Sequence, residues 1–408
     1  MIAEIFSDFA ANMDILADMP NRTHRIALAC TFSLGYCRRV LRGIKQYAEQ
    51  KPDWILLPID LEPAAVQKAL RFHPAGFIAH VLNPPLAELL SRLSVPVVNI
   101  CGVLPNLTFP RVGTDNLLIG KTAARYFLDR GFRHFGYVGQ HGHDYSQQRE
   151  AGFREVIELA GHATASFHEK PRPFDLMGRL WSLHKRFQEW VQSLPKPVAV
   201  FTCNDLWGLQ LTETCRQLGL SVPEEIAILG VQDDDLLCEL ARPSLSSIAI
   251  PAERIGFEAA AMLDRLLTRP HLKPPPLLFA PVRVVTRQSS DILAVSDRQV
   301  AEAIRFIQER AHQPILVEDV LDAVSISRRA LERRFRKVFQ RSLGEEIRRV
   351  HLERAREMLV RTSLGIAAVA KRSGFSDSKH LATVFRQEMG LTPTAYREKL
   401  RSGAIDLT

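Results

Sequence analysis

Arginines recur at positions 329, 333 and 336 of the segment Arg328–Phe339. At 100° per residue they share one helical face, while Leu331, Phe335 and Val338 share the opposite one. One side is built to bury in a core and the other is a cationic stripe. A second segment, Asp377 to Met389, repeats the division: Leu381, Phe385 and Glu388/Met389 on one side, Lys379, Thr383 and Arg386 on the other. Guanidinium, ammonium and hydroxyl groups in such rows are the chemistry of phosphate and base-edge binding.

Those two segments must be held by others. A short apolar-periodic stretch, Val317–Val324, precedes the first, with Ser325-Ile326-Ser327 between them and Ser327 in position to cap the second helix. The second unit has the same grammar: Ile366–Ser373, a turn at Gly374-Phe375-Ser376 where Gly374 can take a positive φ, then the helix from Asp377. Leu343–Val360 joins them as an unbroken helix former, at ~1.5 Å per residue about 27 Å long. That is close to the ~34 Å between successive major grooves on one face of DNA. A single amphipathic helix with arginine outside is ordinary in any small helical domain; two tandem helix-turn-helix units are not.

The charge supports this division. The chain of 408 residues carries a net charge of +8. From Asp297 onward there are 22 Lys and Arg against 15 Asp and Glu, so nearly all the excess lies on the segment with the cationic faces. A basic excess localised in this way is the footprint expected of nucleic-acid binding.

"VEDVLDAVSISRRALERRFRKVF" and "IAAVAKRSGFSDSKHLATVFRQEMGLTPTAYR" resemble the two units of the AraC-type DNA-binding domain, the second down to its closing Pro393-Thr394-Ala395-Tyr396-Arg397. The resemblance implies that Arg329, Glu332 and Arg333 face bases in one groove, and Ser378, Lys379, His380 and Thr383 in the next. Arginine reads guanine bidentately, and a carboxylate accepts from a cytosine amino group. Arg336 and Arg386 fall further along their helices and are expected on phosphates, which position without specifying.

Upstream the pattern alternates strand and helix. Ile26–Phe32, Trp54–Ile59, Gly76–His80 and Val95–Cys101 read as strands, with helices at Arg39–Gln50, Ala64–Phe72 and Leu86–Leu93 between them. A second series starts near Val112: helices Leu117–Arg130, Gln148–Ala160, Leu180–Leu194, Asp205–Leu218 and Arg254–Leu267, strands Phe135–Val138, Ala199–Thr202, Ile226–Val231 and Val282–Thr286. Such alternation predicts parallel sheets covered by helices, in two lobes with a cleft between them. Ligands in open α/β sheets bind beyond the carboxyl ends of strands, so the loops after the strands matter most. Expected boundaries are a tail over 1–23, the two-lobed domain over 24–288, a linker over 289–298 and the helical domain over 299–401.

Enzymatic motifs are not convincing. Gly120-Lys121-Thr122 ends like a phosphate-binding loop, but Asp115 stands where that loop needs glycine. Gly136, Gly139 and Gly142 have the wrong spacing for a dinucleotide turn, and His141-Gly142-His143-Asp144 lacks further metal-ligating neighbours in sequence. Neither H-E-x-x-H nor G-x-S-x-G occurs. The expectation is a binding protein, not an enzyme, with no cofactor and no metal. Six cysteines without C-x-x-C spacing read as buried thiols of a reducing compartment. Met1–Pro20 is acidic and unlike a signal peptide, and no window reaches the ~18 apolar residues of a membrane span. The chain is expected in the cytoplasm, away from membranes; the first twenty residues receive no role.

"RVGTDNLLIGKTAARYFLDRGFRHFGYVG", "QQREAGF", "FTCNDLWGLQL", "GLSVPEEIAILGVQDDD" and "PVRVVTRQSS" resemble the effector-binding domain of LacI-type regulators, itself similar to the periplasmic sugar-binding fold. With the AraC-type reader at the C-terminal side, the whole resembles the bacterial xylose-regulator family from Arg25 to Arg397. The likeness places Arg149 and Asn204 on the ligand, with Gln232 and Asp233 in the turn where the family's pattern has two acidic positions. Gln232 replaces the first acid. Ser33, Tyr36 and Arg38, after the first strand, are candidates from the other lobe. Hydroxyl-rich ligands need paired donors and acceptors of these types. The resemblance therefore implies a sugar-dependent activator of catabolic genes, with a repressor or a transport protein as alternatives. The implied partners are double-stranded DNA half-sites, a monosaccharide such as xylose, a second copy of the chain in a homodimer, and RNA polymerase.

Overall fold

The computed structural model describes residues 23–169, 185–295 and 297–402. The chain divides into two units: residues 1–116, 141–148 and 250–280 form one, and residues 117–140, 149–249 and 281–408 form the other. The expected tail over 1–23 and the start of the expected helix Leu180–Leu194 lie outside the described residues, apart from Thr23.

The first unit holds a parallel sheet of order β2-β1-β3-β4, made of β1 (His24–Ala29), β2 (Trp54–Ile59), β3 (Gly76–Ala79) and β4 (Val97–Asn99). Its helices are α1 (Gly35–Ala48), α2 (Pro63–Ala69) and α3 (Pro84–Ser91). Ala27, Ala29, Phe77, Ala79, Val66, Leu86 and Leu90 close the core on one side. A small pair, β5 (Val112–Thr114) with β11 (Leu277–Phe279), completes it.

The second unit holds α4 (Asn116–Leu128, from Leu117 on), β6 (His134–Gln140), α5 (Asp144–Leu159, from Arg149 on), β7 (Thr164–Glu169), α6 (Lys185–Ser193), β8 (Val198–Thr202), α7 (Asp205–Leu218), β9 (Ile226–Gln232), α8 (Asp235–Leu240), β10 (Ser246–Ala249) and β12 (Arg283–Val285). The sheet order is β12-β10-β9-β8-β6-β7, parallel except for β12, which runs antiparallel to β10. β8 and most of β9 are fully buried and read as continuous apolar runs, as strands covered on both faces must.

Several expectations need correction. Helix α9 (Ala252–Thr268), placed by the sequence in the second series, belongs to the first unit, where it packs on α1. The reason is a backbone-on-backbone crossing: a Cβ on Gly43 would lie 1.7 Å from the Glu253 carbonyl, and one on Gly256 1.9 Å from that of Val40. The linker begins later than position 289. Ser289 and Ser290 are fully buried, Ser289 Oγ donating to the Ile228 carbonyl at 2.7 Å and Ser290 Oγ lying 2.7 Å from the Tyr126 hydroxyl. Gly120-Lys121-Thr122 is a helix crossing: a Cβ on Gly120 would sit 2.0 Å from the Arg149 carbonyl, and Lys121 pairs with Glu155 at 2.8 Å.

The C-terminal domain is helical: α10 (Arg298–Glu309), α11 (Val317–Val324), α12 (Arg328–Phe339), α13 (Leu343–Arg361), α14 (Ile366–Arg372), α15 (Ser378–Met389) and α16 (Pro393–Ser402). α13 joins two cores. Leu343 and Ile347 enter one with Val320, Leu331, Phe335 and α10; Leu352, Ala355 and Leu359 enter the other with Val369, Leu381, Phe385 and Tyr396. Ser342 and Glu345 form a capping box at its start, which the sequence reading overlooked. Gly374 takes φ 80°, and a Cβ there would lie 2.4 Å from His351 Nε2. Ser327 occupies the cap position of α12, but its side chain makes no capping bond. Glu388 is exposed and Val384 takes its place in the core.

Candidate effector site and nucleic-acid interface

In the second unit the candidate effector residues gather where α5, β8 and β9 present their ends. Asn204 follows β8 and caps α7, its side-chain oxygen accepting from the Trp207 amide at 3.0 Å. Arg149 of α5 is buried and donates to the carbonyl of Cys203, the neighbour of Asn204. Gln232 ends β9 at φ 116° and Asp233 follows at φ 54°. Two successive non-glycine residues at positive φ cost energy, and such strain concentrates at ligand sites.

What holds this turn went unnoticed in the sequence. Asp205, fully buried at the start of α7, accepts from the Asp234 amide at 2.8 Å and from Ser247 Oγ at 2.5 Å. Ser247 Oγ in turn accepts from the Asp233 amide at 2.9 Å. Arg287 pairs with Asp233 at 2.8 Å and also donates to the Leu245 carbonyl. A Cβ on Gly230 would fall 2.2 Å from Asp205 Oδ1, so glycine is required there. Burial pushes the Asp205 carboxyl up to about 6, against the hydrogen bonds that favour its ionised form. The acid beside Asn204 and the Ser-Ser pair before Ile248 were the available signals.

In the first unit the loop after β1 carries Ser33, exposed, with its hydroxyl 2.9 Å from Thr31 Oγ1. Tyr36 and Arg38 serve the loop itself. The Tyr36 hydroxyl is buried and donates to the Ile100 carbonyl at 2.7 Å, while Arg38 donates to the Phe32 and Ser33 carbonyls at 2.8 and 3.2 Å. Phe32, at the tip and 52% exposed, is an apolar face that the sequence reading missed. All six cysteines are buried, and none is in a disulfide. Among the described residues no three His, Cys, Asp or Glu side chains are placed to hold a metal ion, and no helix is long and apolar enough to cross a membrane.

On α12, Arg329, Arg333 and Arg336 are exposed and Glu332 is half-buried. Glu332 Oε2 is buried without a hydrogen-bond partner, 3.9 Å from Arg336 Nε. On α15, Ser378, Lys379, His380, Thr383 and Arg386 are all exposed. Asp377 caps the helix by accepting from the His380 amide at 2.8 Å, and the His380 ring lies 5.4 Å from that of Phe375. The helix start is thereby fixed while its outward face stays open.

The sequence matches the family of periplasmic binding protein-like domains over residues 124–290 and a helix-turn-helix domain family over residues 320–399. The chain is an effector-responsive transcription regulator, with a periplasmic-binding-protein-like domain followed by an AraC-type helix-turn-helix domain. It is homologous nearly throughout to xylose operon regulatory proteins. It shares 27% identity over 389 residues with that of Escherichia coli (strain K12), covering 93% of this chain and 98% of the relative. The Haemophilus influenzae protein of that name is also 27% identical over 389 residues, covering 93% of this chain and 99% of its own. A solved structure described as the xylose-binding transcription activator xylR aligns with a TM-score of 0.59 at 26% identity, covering 93% of this chain and 99% of that one.

Proposed function

We propose that the chain is a monosaccharide-dependent activator of sugar-catabolism genes, with a pentose, xylose first, as its effector. Arg149, Asn204, Gln232 and Asp233 bind the sugar's hydroxyls, and Ser33 is a further ligand residue. Tyr36 and Arg38 shape the loop that carries Ser33, and Phe32 offers the apolar face of that loop to the sugar ring. Arg329, Glu332 and Arg333 read one DNA half-site and Ser378, Lys379, His380 and Thr383 the next, with Arg336 and Arg386 on phosphates. The protein acts in the cytoplasm as a homodimer on paired half-sites and engages RNA polymerase. The domains run from 24 to 290 and from 297 to 401, with residues 291–296 linking them.

The observation that carries this reading is the strained Gln232-Asp233 turn beside Asn204 and Arg149, on a chain that also bears two exposed polar helix faces. Support for the pentose comes from the xylose named for the relatives. The test is the thermal midpoint of the full chain against pentoses, hexoses and their phosphates. A ligand at a thousand times its dissociation constant stabilises the state it binds by ~4 kcal/mol. A rise with xylose is expected. A rise with a different sugar alone replaces the effector, and silence across the panel overturns sugar sensing.

A further inference from the structure

Residues 129–133 of the second unit, Asp129-Arg130-Gly131-Phe132-Arg133, make contacts that folding of the lobe alone does not explain. Asp129 directly follows α4, so its carboxylate sits at the negative end of a helix, where an anion is locally unfavourable. It is also largely buried, with 15% of its side chain exposed. Its partners come from the DNA-binding domain: Arg341 at 2.8 Å and Arg349 at 2.6 Å. Both arginines also hold Glu346, which is fully buried, and Arg349 reaches Glu353 at 3.0 Å. Burial opposes the charge on Glu346, and Arg349 and Arg341 outweigh it, holding the carboxyl below its ordinary range. For Asp129 burial outweighs the same two guanidiniums and leaves the carboxyl above its ordinary range.

Four residues further on, Arg133 donates to the carbonyls of Lys337 and Val338 at 2.9 and 2.8 Å. These lie in the last turn of α12, where carbonyls lack intrahelical partners and a cation is favoured. Between the two, the Arg130 carbonyl accepts from the Ala294 amide at 2.8 Å, and Gly131 turns at φ 79° with the Val295 and Val338 side chains against it. One five-residue turn of the lobe thus grips the chain leading into the DNA-binding domain, the end of α12 and the start of α13. The contacts land on residues 294–295 and 337–349, all on the side of the first helix-turn-helix unit.

We propose that Asp129–Arg133 is a docking surface that makes the second lobe and the first helix-turn-helix unit one rigid body, so that effector binding reaches DNA through α12. Transmission rests on the function proposed above; docking does not. Asp129 and Arg133 are positioning residues, touching neither sugar nor DNA.

The test uses the full chain with Asp129→Asn, Asp129→Glu and Arg133→Met, read first by hydrogen exchange without ligand. Exchange at residues 294–300 and 337–349 should quicken at least tenfold in Asp129→Asn and Arg133→Met, stay at the wild-type rate over 378–389, and be partly restored in Asp129→Glu. Wild-type exchange in both variants overturns docking. Arg133 is exposed, so its variant decides the matter if Asp129→Asn fails to fold. The second reading is DNA affinity with and without D-xylose by fluorescence anisotropy. The xylose-induced fold-change should shrink towards one in Asp129→Asn while its thermal shift with xylose persists; an undiminished fold-change overturns transmission through α12. If the wild-type chain responds to no sugar, the proposed effector fails, and exchange still decides docking.

Discussion

On α12, Arg329, Arg333 and Arg336 stand exposed on a regular helix whose other face is core. At the end of β9, Gln232 and Asp233 sit at positive φ, and Asp205, Ser247 and Arg287 hold the turn from beneath. The helix displays its exposed arginines at little cost to the fold, whereas the turn stays in place only because buried groups over-determine it. Substitutions should therefore separate: at the turn they cost stability, and on the helix they cost DNA binding alone.

The largest effect is expected from Gly230→Ala. Its Cβ meets Asp205 Oδ1 at 2.2 Å, which forces the buried carboxylate to move, and urea denaturation should show a loss of at least ~3 kcal/mol. A loss under ~0.5 kcal/mol would mean that the turn is not held as described. Next comes pH. The folded pKa of Asp205, about 6, lies above its unfolded value, so between about pH 4 and 6 the folded chain binds more protons than the unfolded one. That part of the stability is full at low pH and falls away as pH rises through the folded pKa, by up to ~3 kcal/mol. Asp205→Asn should flatten the slope of thermal midpoint against pH in that window; an unchanged slope assigns it to another group.

Arg333→Ala should weaken operator binding by ~1–3 kcal/mol and relax base choice at one position, leaving stability within ~0.5 kcal/mol. Equal weakening on every sequence would make Arg333 a phosphate contact. Arg386→Ala should weaken all sequences alike, by about 1 kcal/mol, and reduce the slope of log affinity against log salt by ~0.9. A base-specific loss there would reverse its assignment.

The same contrast governs how much was legible in the sequence. The faces of α12 and α15 follow from a period of 3.6, and β1, β2, β3, β6, β8 and β9 from apolar runs, so these were read within a few residues, whereas β7, with the polar residues Thr164, Ser166, His168 and Glu169, was not. β10 was missed because two of its four residues are buried serines, Ser246 and Ser247, whose hydroxyls are satisfied by tertiary partners. Ser289 and Ser290 looked like linker for the same reason. The place of α9 depends on Gly43 meeting Gly256, two positions 213 residues apart that no local period connects. At the candidate effector site Arg149 and Asn204 do lie together, because the Cys203 carbonyl ties α5 to the end of β8. The buttress of Asp205, Ser247 and Arg287 was not legible, because each residue reads locally as a cap, a strand polar or a surface cation.

Coupling of effector to DNA on this chain is tested most directly by anisotropy of an operator-bearing duplex titrated with the full-length protein. With saturating D-xylose, or whichever sugar raises the thermal midpoint, the operator affinity should change by about 5–150-fold, the range of a coupling of ~1–3 kcal/mol. Superimposable titrations with and without a sugar that demonstrably binds would contradict the account.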